Sequence, residues 1–305
     1  MTLLQLFSPS GVVAPSGALR LAAQRLRGLG FDVQIDRDAT ARAQRFAGDD
    51  DRRLAALHRV AAAAPSIAMP SRGGYGLSRL LARIDWTLLA QSAERGTRWV
   101  GHSDFTALQL GLLAHTGAPT WAGPMATDDF GRAEQADGSA GVDEVTRDCF
   151  VEAMSGQLEA VGFRTEAGFD GLALRGPLWG GNLAMLVSLL GTPHFPAPRR
   201  IKGGVLFLEE VNEHPFRVER SLLQLQQAGV LQTQKAVLLG AVTGFKKSPL
   251  DRGYSLKSAV ARVRAGMATP LLTGLPFGHV QTKVCLPVGR RVRLVVQGRD
   301  VLIGW

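Results

Sequence analysis

Four times in the first 113 residues, a short apolar run gives way to a turn and then to apolar residues at helical spacing. "LLQLFSPSG" precedes "ALRLAAQRLRGLGF", which closes on Gly30, a common helix stop. "FDVQI" precedes "LAALHRVAAAA", and "SIAMPSRGGYG" precedes "LSRLLARIDWTLLA". "RWVGHSD" ends at Ser103, ahead of another helical pattern. Repeated strand–helix units bury both faces of a parallel sheet, so an α/β domain is expected. In such a sheet the functional groups gather in loops at the C-terminal ends of the strands.

The second half has a different texture. "GVLFLEEV" and "KAVLLGAVTGF" read as strongly apolar strands around the helical "ERSLLQLQQAG". "VCLPVGRRVRLVVQGRDVLIGW" predicts short antiparallel strands with glycine turns. Between the halves lies one amphipathic helix, with Val142, Val145, Cys149, Ala153 and Leu158 near one face and Met154 at its edge. Its flanks, "DDFGRAEQADGSAG" and "RTEAGFDGLALRGP", read as loops and a connection. The expected division is an N-terminal α/β domain over 1–165, a connection over 166–178 and a smaller, strand-rich mixed α/β domain over 179–305. There is no internal repeat.

A chain of 305 residues is long enough for two such cores. No apolar run approaches the roughly 20 residues of a membrane helix, and the first residues do not form a secretory signal. Cys149 and Cys285 are too few and too far apart to imply a disulfide framework or a zinc site. A reducing cytoplasm is the expected compartment. The net charge of +9 is uneven: 127–174 holds eleven acidic residues against three arginines, which leaves about +17 elsewhere. Without a dense basic block or an aromatic basic motif, this charge suits an anionic small substrate better than nucleic acid.

Four stretches carry candidate chemistry. Ser103, between a strand and a helix, has two readings. It could project its oxygen from a sharp turn as a nucleophile, or it could cap the helix with Asp104 in the first turn. Phe105 occupies the place of the second glycine in G-x-S-x-G. "SRGGYG" (71–76) ends a strand and lacks both phosphate-loop spacings. It either makes a plain turn or offers N–H groups to an oxyanion, with Arg72 as an anchor. Glu209 and Glu210 end an apolar strand and face opposite ways. One could orient a histidine; alternatively both form a solvated strand end with an arginine partner. His279 follows a Pro-Phe-Gly turn and has the most active-site-like context of the six histidines. Neither H-E-x-x-H nor S-x-x-K occurs.

Together, "SRGGYG" (71–76), "GHSDFTAL" (101–108), "GPM" (123–125), "GGNL" (180–183), "LFLEEVNEHPFRVER" (206–220), "PFGHV" (276–280) and "LPVG" (286–289) are ordered as in the LD-carboxypeptidase family of serine peptidases. That family includes muramoyltetrapeptide carboxypeptidases and microcin-immunity peptidases, and the chain resembles it over nearly its whole length. The resemblance implies Ser103 as nucleophile, Glu209 as the acidic member of a triad and His279 as general base and acid. It places them in a cleft between an N-terminal and a C-terminal domain. Gly74 and Asp104 are then the oxyanion-hole residues, and Arg72 is the candidate for the substrate's terminal carboxylate. No cofactor or metal is implied, and a homodimer is.

The implied substrate is a murein tetrapeptide, cut at the L,D bond before its terminal D-alanine during cell-wall recycling. Two other readings stay open. One is an immunity-type peptidase acting on peptidyl- or aminoacyl-nucleotide toxins; the other is a non-catalytic muropeptide-binding protein. His102 and Phe105 stand where the family commonly has an aromatic or aliphatic residue and an isoleucine. Ala122 stands where histidine is common, and Glu210 where aspartate is.

Overall fold

The expected alternation is present. β1 (Thr2–Phe7), α1 (Gly17–Gly28), β2 (Phe31–Ile35), α2 (Asp50–Ala63), β3 (Ile67–Pro70), α3 (Trp86–Glu94), β4 (Arg98–Gly101), α4 (Thr106–His115) and β5 (Thr120–Ala122) follow in order. The chain continues through α5 (Glu144–Ser155), β6 (Ala160–Arg164), β7 (Ala173–Asn182), α6 (Leu183–Ser188), α7 (Pro198–Ile201), β8 (Val205–Val211) and α8 (Pro215–Gln227). It ends with β9 (Ala236–Thr243), α9 (Leu256–Arg264), β10 (Leu271–Thr273), β11 (Leu286–Val288), β12 (Arg291–Gln297) and β13 (Asp300–Gly304). These elements come from a computed structural model, which describes residues 2–15, 17–133 and 141–305.

Two sheets organise the molecule. The first runs β11-β5-β4-β3-β1-β2 and is parallel except for β11. The second runs β10-β9-β8-β7-β12-β13-β6, parallel from β10 to β7 and antiparallel beyond. Every residue of β3 is buried, as are the first six of β8, which is what strands covered on both faces require. α4 is buried at every position from Thr106 to Leu113 and packs on α6 and β7. A helix apolar all round belongs inside. Thr106, at its start, accepts the Asn182 N–H at 3.0 Å and so ties the first half to the end of β7.

The expected division differs in detail from these sheets. β6, assigned to the N-terminal domain, pairs with β13, and the connection over 166–178 overlaps β7. β11, read as part of the terminal meander, pairs instead with β5 in the first sheet. Sheet pairing is long-range, so a change in local texture does not mark it. The stretch 77–90 is not one helix. Two short 3-10 turns, Leu77–Arg79 and Leu81–Arg83, precede α3, whose first turn is capped by Asp85 accepting the Leu88 N–H at 2.9 Å. α5 buries Thr146, Cys149, Phe150, Ala153 and Met154, while Val145 is exposed and Val142 and Leu158 lie beyond its ends. Of the loop read over 128–141, residues 134–140 lie outside the described residues.

Candidate active site

β4 ends at Gly101, and the chain turns sharply into α4 through a 3-10 turn over Ser103–Phe105. Ser103 sits at φ +62°, in the left-handed region. A non-glycine residue held there costs on the order of 1–3 kcal/mol and needs surrounding structure to enforce it. Phe105, fully buried, packs edge-on to Phe7 and lies against Gly101, where a Cβ would come within 2.8 Å of its ring. The buried Asp104 carboxylate accepts Ser10 Oγ at 2.7 Å and the Leu77 N–H at 3.0 Å. Both neighbours of Ser103 in the turn are therefore anchored.

The serine hydroxyl does not cap the helix. Ser103 Oγ lies 3.0 Å from His279 Nε2, and His279 Nδ1 lies 2.8 Å from Glu209 Oε2. With the Nδ1–H donating a hydrogen bond to the carboxylate, Nε2 is free to accept the serine proton.

Glu209 is completely buried on β8, beside a register shift that separates the pairs Leu208–Leu239 and Glu210–Val242. Such irregularities re-aim side chains next to sites. The loop carrying His279 lies directly over it. Ala241 N–H donates to Phe277 O at 2.9 Å, and Gly278 sits at φ +131°. A Cβ on Gly278 would stand 3.0 Å from Glu209 Cβ and 3.1 Å from Oε2, so only glycine lets the loop come this close.

Neither glutamate is a solvated strand end. Asn182 Nδ2 donates to Glu209 Oε1 at 3.1 Å and to Glu210 Oε1 at 3.2 Å. Glu210 also accepts the N–H groups of Ala184 and Val211, and burial raises its pKa.

Of the two adjacent glycines, Gly73 rather than Gly74 faces the serine. A Cβ at 73 would fall 2.7 Å from Ser103 Oγ and 3.4 Å from Asp104 N. Gly74, at φ +104°, packs on Gly11, whose N–H holds the loop through Gly73 O at 3.1 Å. Arg72 donates from Nη1 to Val12 O at 3.2 Å, and its Nε is buried without a partner among the described residues.

A cavity of about 760 Å³ opens on the His279 side of the serine. Ala14, Pro15, Ala18 and Leu21 give it an apolar wall, and His102, Asp128, Arg132, His279 and Lys283 supply its polar groups. Lys283 is buried in an ion pair with Asp129. His102 Nδ1 lies 2.9 Å from Gly123 O, and its ring stands edge-on to His279 with centroids 5.1 Å apart. Burial, and then the charges of Lys283 and His279, push its pKa well below that of an ordinary histidine, so it stays neutral. For His279, burial works against the charged form, but the hydrogen bond and charge of Glu209 outweigh it, aided by Asp128. The net pKa is raised.

Among the described residues, no group of three or more His, Cys, Asp or Glu side chains is placed to hold a metal ion, and no helix is long and apolar enough to cross a membrane. The structure joins Ser103, Glu209 and His279 and sets Asp104 beside them. Asn182, Gly73, Asp128 and Lys283 were not singled out from the sequence as site residues. The motif "GGNL" gives its asparagine no role from sequence alone; the structure sets it against Glu209 and Glu210.

A strained serine turn, an imidazole and a buried carboxylate joined in one line are the arrangement of a serine hydrolase. Residues 4–123 match the LD-carboxypeptidase N-terminal domain and residues 175–294 the LD-carboxypeptidase C-terminal domain. The chain belongs to the LD-carboxypeptidase family. It is 30% identical to the murein tetrapeptide carboxypeptidase of Pseudomonas aeruginosa over 301 residues, covering 93% of this chain and 90% of that protein. The crystal structure of muramoyltetrapeptide carboxypeptidase from Oxalobacter formigenes is 37% identical, with a TM-score of 0.88 over 99% of this chain and 98% of that one. The microcin C7 self-immunity protein MccF, bound to aspartyl sulfamoyl adenosine, shares the fold at 20% identity and a TM-score of 0.85, covering 100% of this chain and 96% of that one.

Proposed function

We propose that this chain is a serine carboxypeptidase that releases the terminal D-alanine of murein tetrapeptides by cutting the L,D bond before it. The observation that carries the reading is the continuous hydrogen-bonded line from Ser103 through His279 to Glu209. The murein peptide carboxypeptidases among the relatives support the substrate.

In this reading Ser103 Oγ attacks the carbonyl carbon of the penultimate residue as its proton passes to His279 Nε2. Glu209 holds the tautomer and stabilises the imidazolium. The oxyanion is received by the backbone N–H groups of Asp104 and Gly74, in the space left by the missing side chain of Gly73. The C–N bond breaks as Nε2 gives its proton to the leaving amine of D-alanine. Water, deprotonated by His279, then attacks the acyl carbon, and the proton returns to Ser103. Arg72 takes the terminal carboxylate, a role its unpartnered Nε supports. The reading places the enzyme in the cytoplasm, acting on recycled wall fragments, as a homodimer.

Mass spectrometry of the tetrapeptide, incubated with wild type and with Ser103→Ala, tests the reaction. Loss of D-alanine with wild type alone is the expected result. Equal release by both proteins, or release by neither from folded samples, would overturn it. Sedimentation of the purified chain at twice the monomer mass checks the dimer.

A further inference from the structure

The cavity beside His279 contains more charge than the reaction uses. Two of its charged side chains are consumed by the protein itself: Lys283 by Asp129, and His279 by Glu209 and Ser103. Asp129 is satisfied further by the Met125 N–H at 2.8 Å. Its neighbour Asp128 is not. The carboxylate's one hydrogen-bond partner among the described residues is Thr127 Oγ1, at 3.2 Å. That hydroxyl has a single proton and also stands 2.9 Å from Ser71 O, the better-placed acceptor. Asp128 is thus left without a full donor, although it is half-buried and lies in the field of Arg72 and His279.

Arg132 is the opposite case. Its Nε is spent on Asp128 O, but no described residue takes its two terminal nitrogens. The two side chains line one cavity, four positions apart, and do not form an ion pair with each other. A partly buried carboxylate and a free guanidinium fork left side by side cost solvation without gaining a partner. A ligand carrying both opposite charges would satisfy both. The wall of Ala14, Pro15, Ala18 and Leu21 suits an aliphatic chain leading to such a group.

We propose that Asp128 and Arg132 are specificity-determining residues that read an α-amino acid head group, an ammonium and a carboxylate on one carbon, at the end of a substrate side chain. Asp128 takes the ammonium and Arg132 the carboxylate in a two-bond fork. The assignment rests on the murein-peptide reading above and sharpens it. The residue before the scissile bond is a diamino acid that bears a second carboxylate, as diaminopimelate does and lysine does not.

Three tetrapeptides that differ only in that residue, carrying diaminopimelate, lysine or norleucine, test it by kcat/KM ratios on wild type, Asp128→Asn and Arg132→Gln. Ratios are internal to each protein, so a partly folded variant or a shifted His279 pKa, which scales all three substrates alike, does not move them. Wild type should favour diaminopimelate over norleucine by at least about tenfold, the scale of one charged hydrogen bond. Asp128→Asn should bring the lysine-to-norleucine ratio close to one. Arg132→Gln should erase the diaminopimelate-to-lysine ratio while keeping the lysine-to-norleucine ratio. Equal use of the three peptides by wild type, or unchanged ratios in both variants, would overturn the assignment and leave the carboxypeptidase reading intact. Failure of wild type to release D-alanine from any of them would overturn both.

Discussion

Asn182 Nδ2 stands 3.1 Å from Glu209 Oε1, the carboxylate oxygen that His279 does not use. Glu209 is therefore held at both oxygens, by the asparagine at one and the imidazole at the other. Asn182 is itself fixed, because its Oδ1 accepts the Met185 N–H at 3.1 Å and its own N–H is bound by Thr106. Removing the amide in Asn182→Ala leaves two buried carboxylates, Glu209 and Glu210, with nothing between them. The expected outcome is a fall in kcat of about 10–100-fold, the scale of one hydrogen bond to a charged group, about 1.5–3 kcal/mol. KM should change little. Steady-state kinetics on the tetrapeptide separates the two parameters.

The central line makes a steeper prediction. Ser103→Ala and His279→Ala should each lower kcat on the order of 10⁴–10⁶-fold, and Glu209→Gln on the order of 10⁴-fold, since members of such a unit act together. The double variant of Ser103 and His279 should be scarcely worse than either single one. Full additivity in single-turnover assays would show that the two residues do not act as one unit.

Gly73 offers a test that changes no polar group. The Cβ of Gly73→Ala would fall 2.7 Å from both Ser103 Cβ and Oγ. Overpacking of this kind costs about 1–3 kcal/mol. Displacement of the nucleophile by about 1 Å should lower activity by a factor of about 100. Thermal melts and kinetics together check that the loss of rate exceeds what the loss of stability explains.

Much of this was legible in the chain because it was local or ordered. The strand–helix units were visible in apolar periodicity, and Ser103, Glu209 and His279 lie within short motifs at turns or strand ends. What escaped notice depends on long-range contact. Asn182 meets Glu209 across parallel strands β7 and β8, and Lys283 finds Asp129 from 154 residues away. Gly73 and Gly74 are adjacent and chemically identical, so only the fold decides which one faces the serine. The stretch 77–85 reads as helix from sequence alone because apolar residues spaced three and four apart serve two 3-10 turns as well as one helix.

The raised pKa of His279 sets the acid limb of the pH profile. The reaction needs the neutral imidazole, so kcat/KM should fall as pH drops through a value above that of an ordinary histidine. Glu209 and Asp128 face this imidazole with negative charge; Lys283 opposes them, and His102 remains neutral beside it. Removing negative charge lowers a histidine pKa. Asp128→Asn should therefore move the acid limb to lower pH, and Lys283→Met should move it higher. A norleucine tetrapeptide, which lacks a charged side chain at the residue before the scissile bond, is the substrate on which to record the profile. Coincident profiles for wild type and Asp128→Asn would contradict the electrostatic account.

The pair Lys283–Asp129 also predicts how the site is kept rigid. Both side chains are buried, and Lys283 lies four residues beyond His279 on a segment held by α5: its N–H is bound by Thr146 Oγ1 at 2.8 Å. Asp129, for its part, directly follows Asp128, which lines the cavity, in the turn over Ala126–Phe130. Removing one partner strands a charge in the interior at a cost of about 3–5 kcal/mol, whereas replacing both by apolar side chains is often nearly neutral. Lys283→Met and Asp129→Leu should thus each destabilise the protein strongly, and the double variant should recover part of the loss, the buried Met125 N–H staying without its acceptor. Denaturant unfolding of the four proteins measures the coupling. If the pair does more than support the fold, the recovered double variant should still show a reduced kcat, because the ion pair fixes the segment that leads back to His279. Recovery of stability and kcat together would make the pair a packing device that apolar side chains can replace.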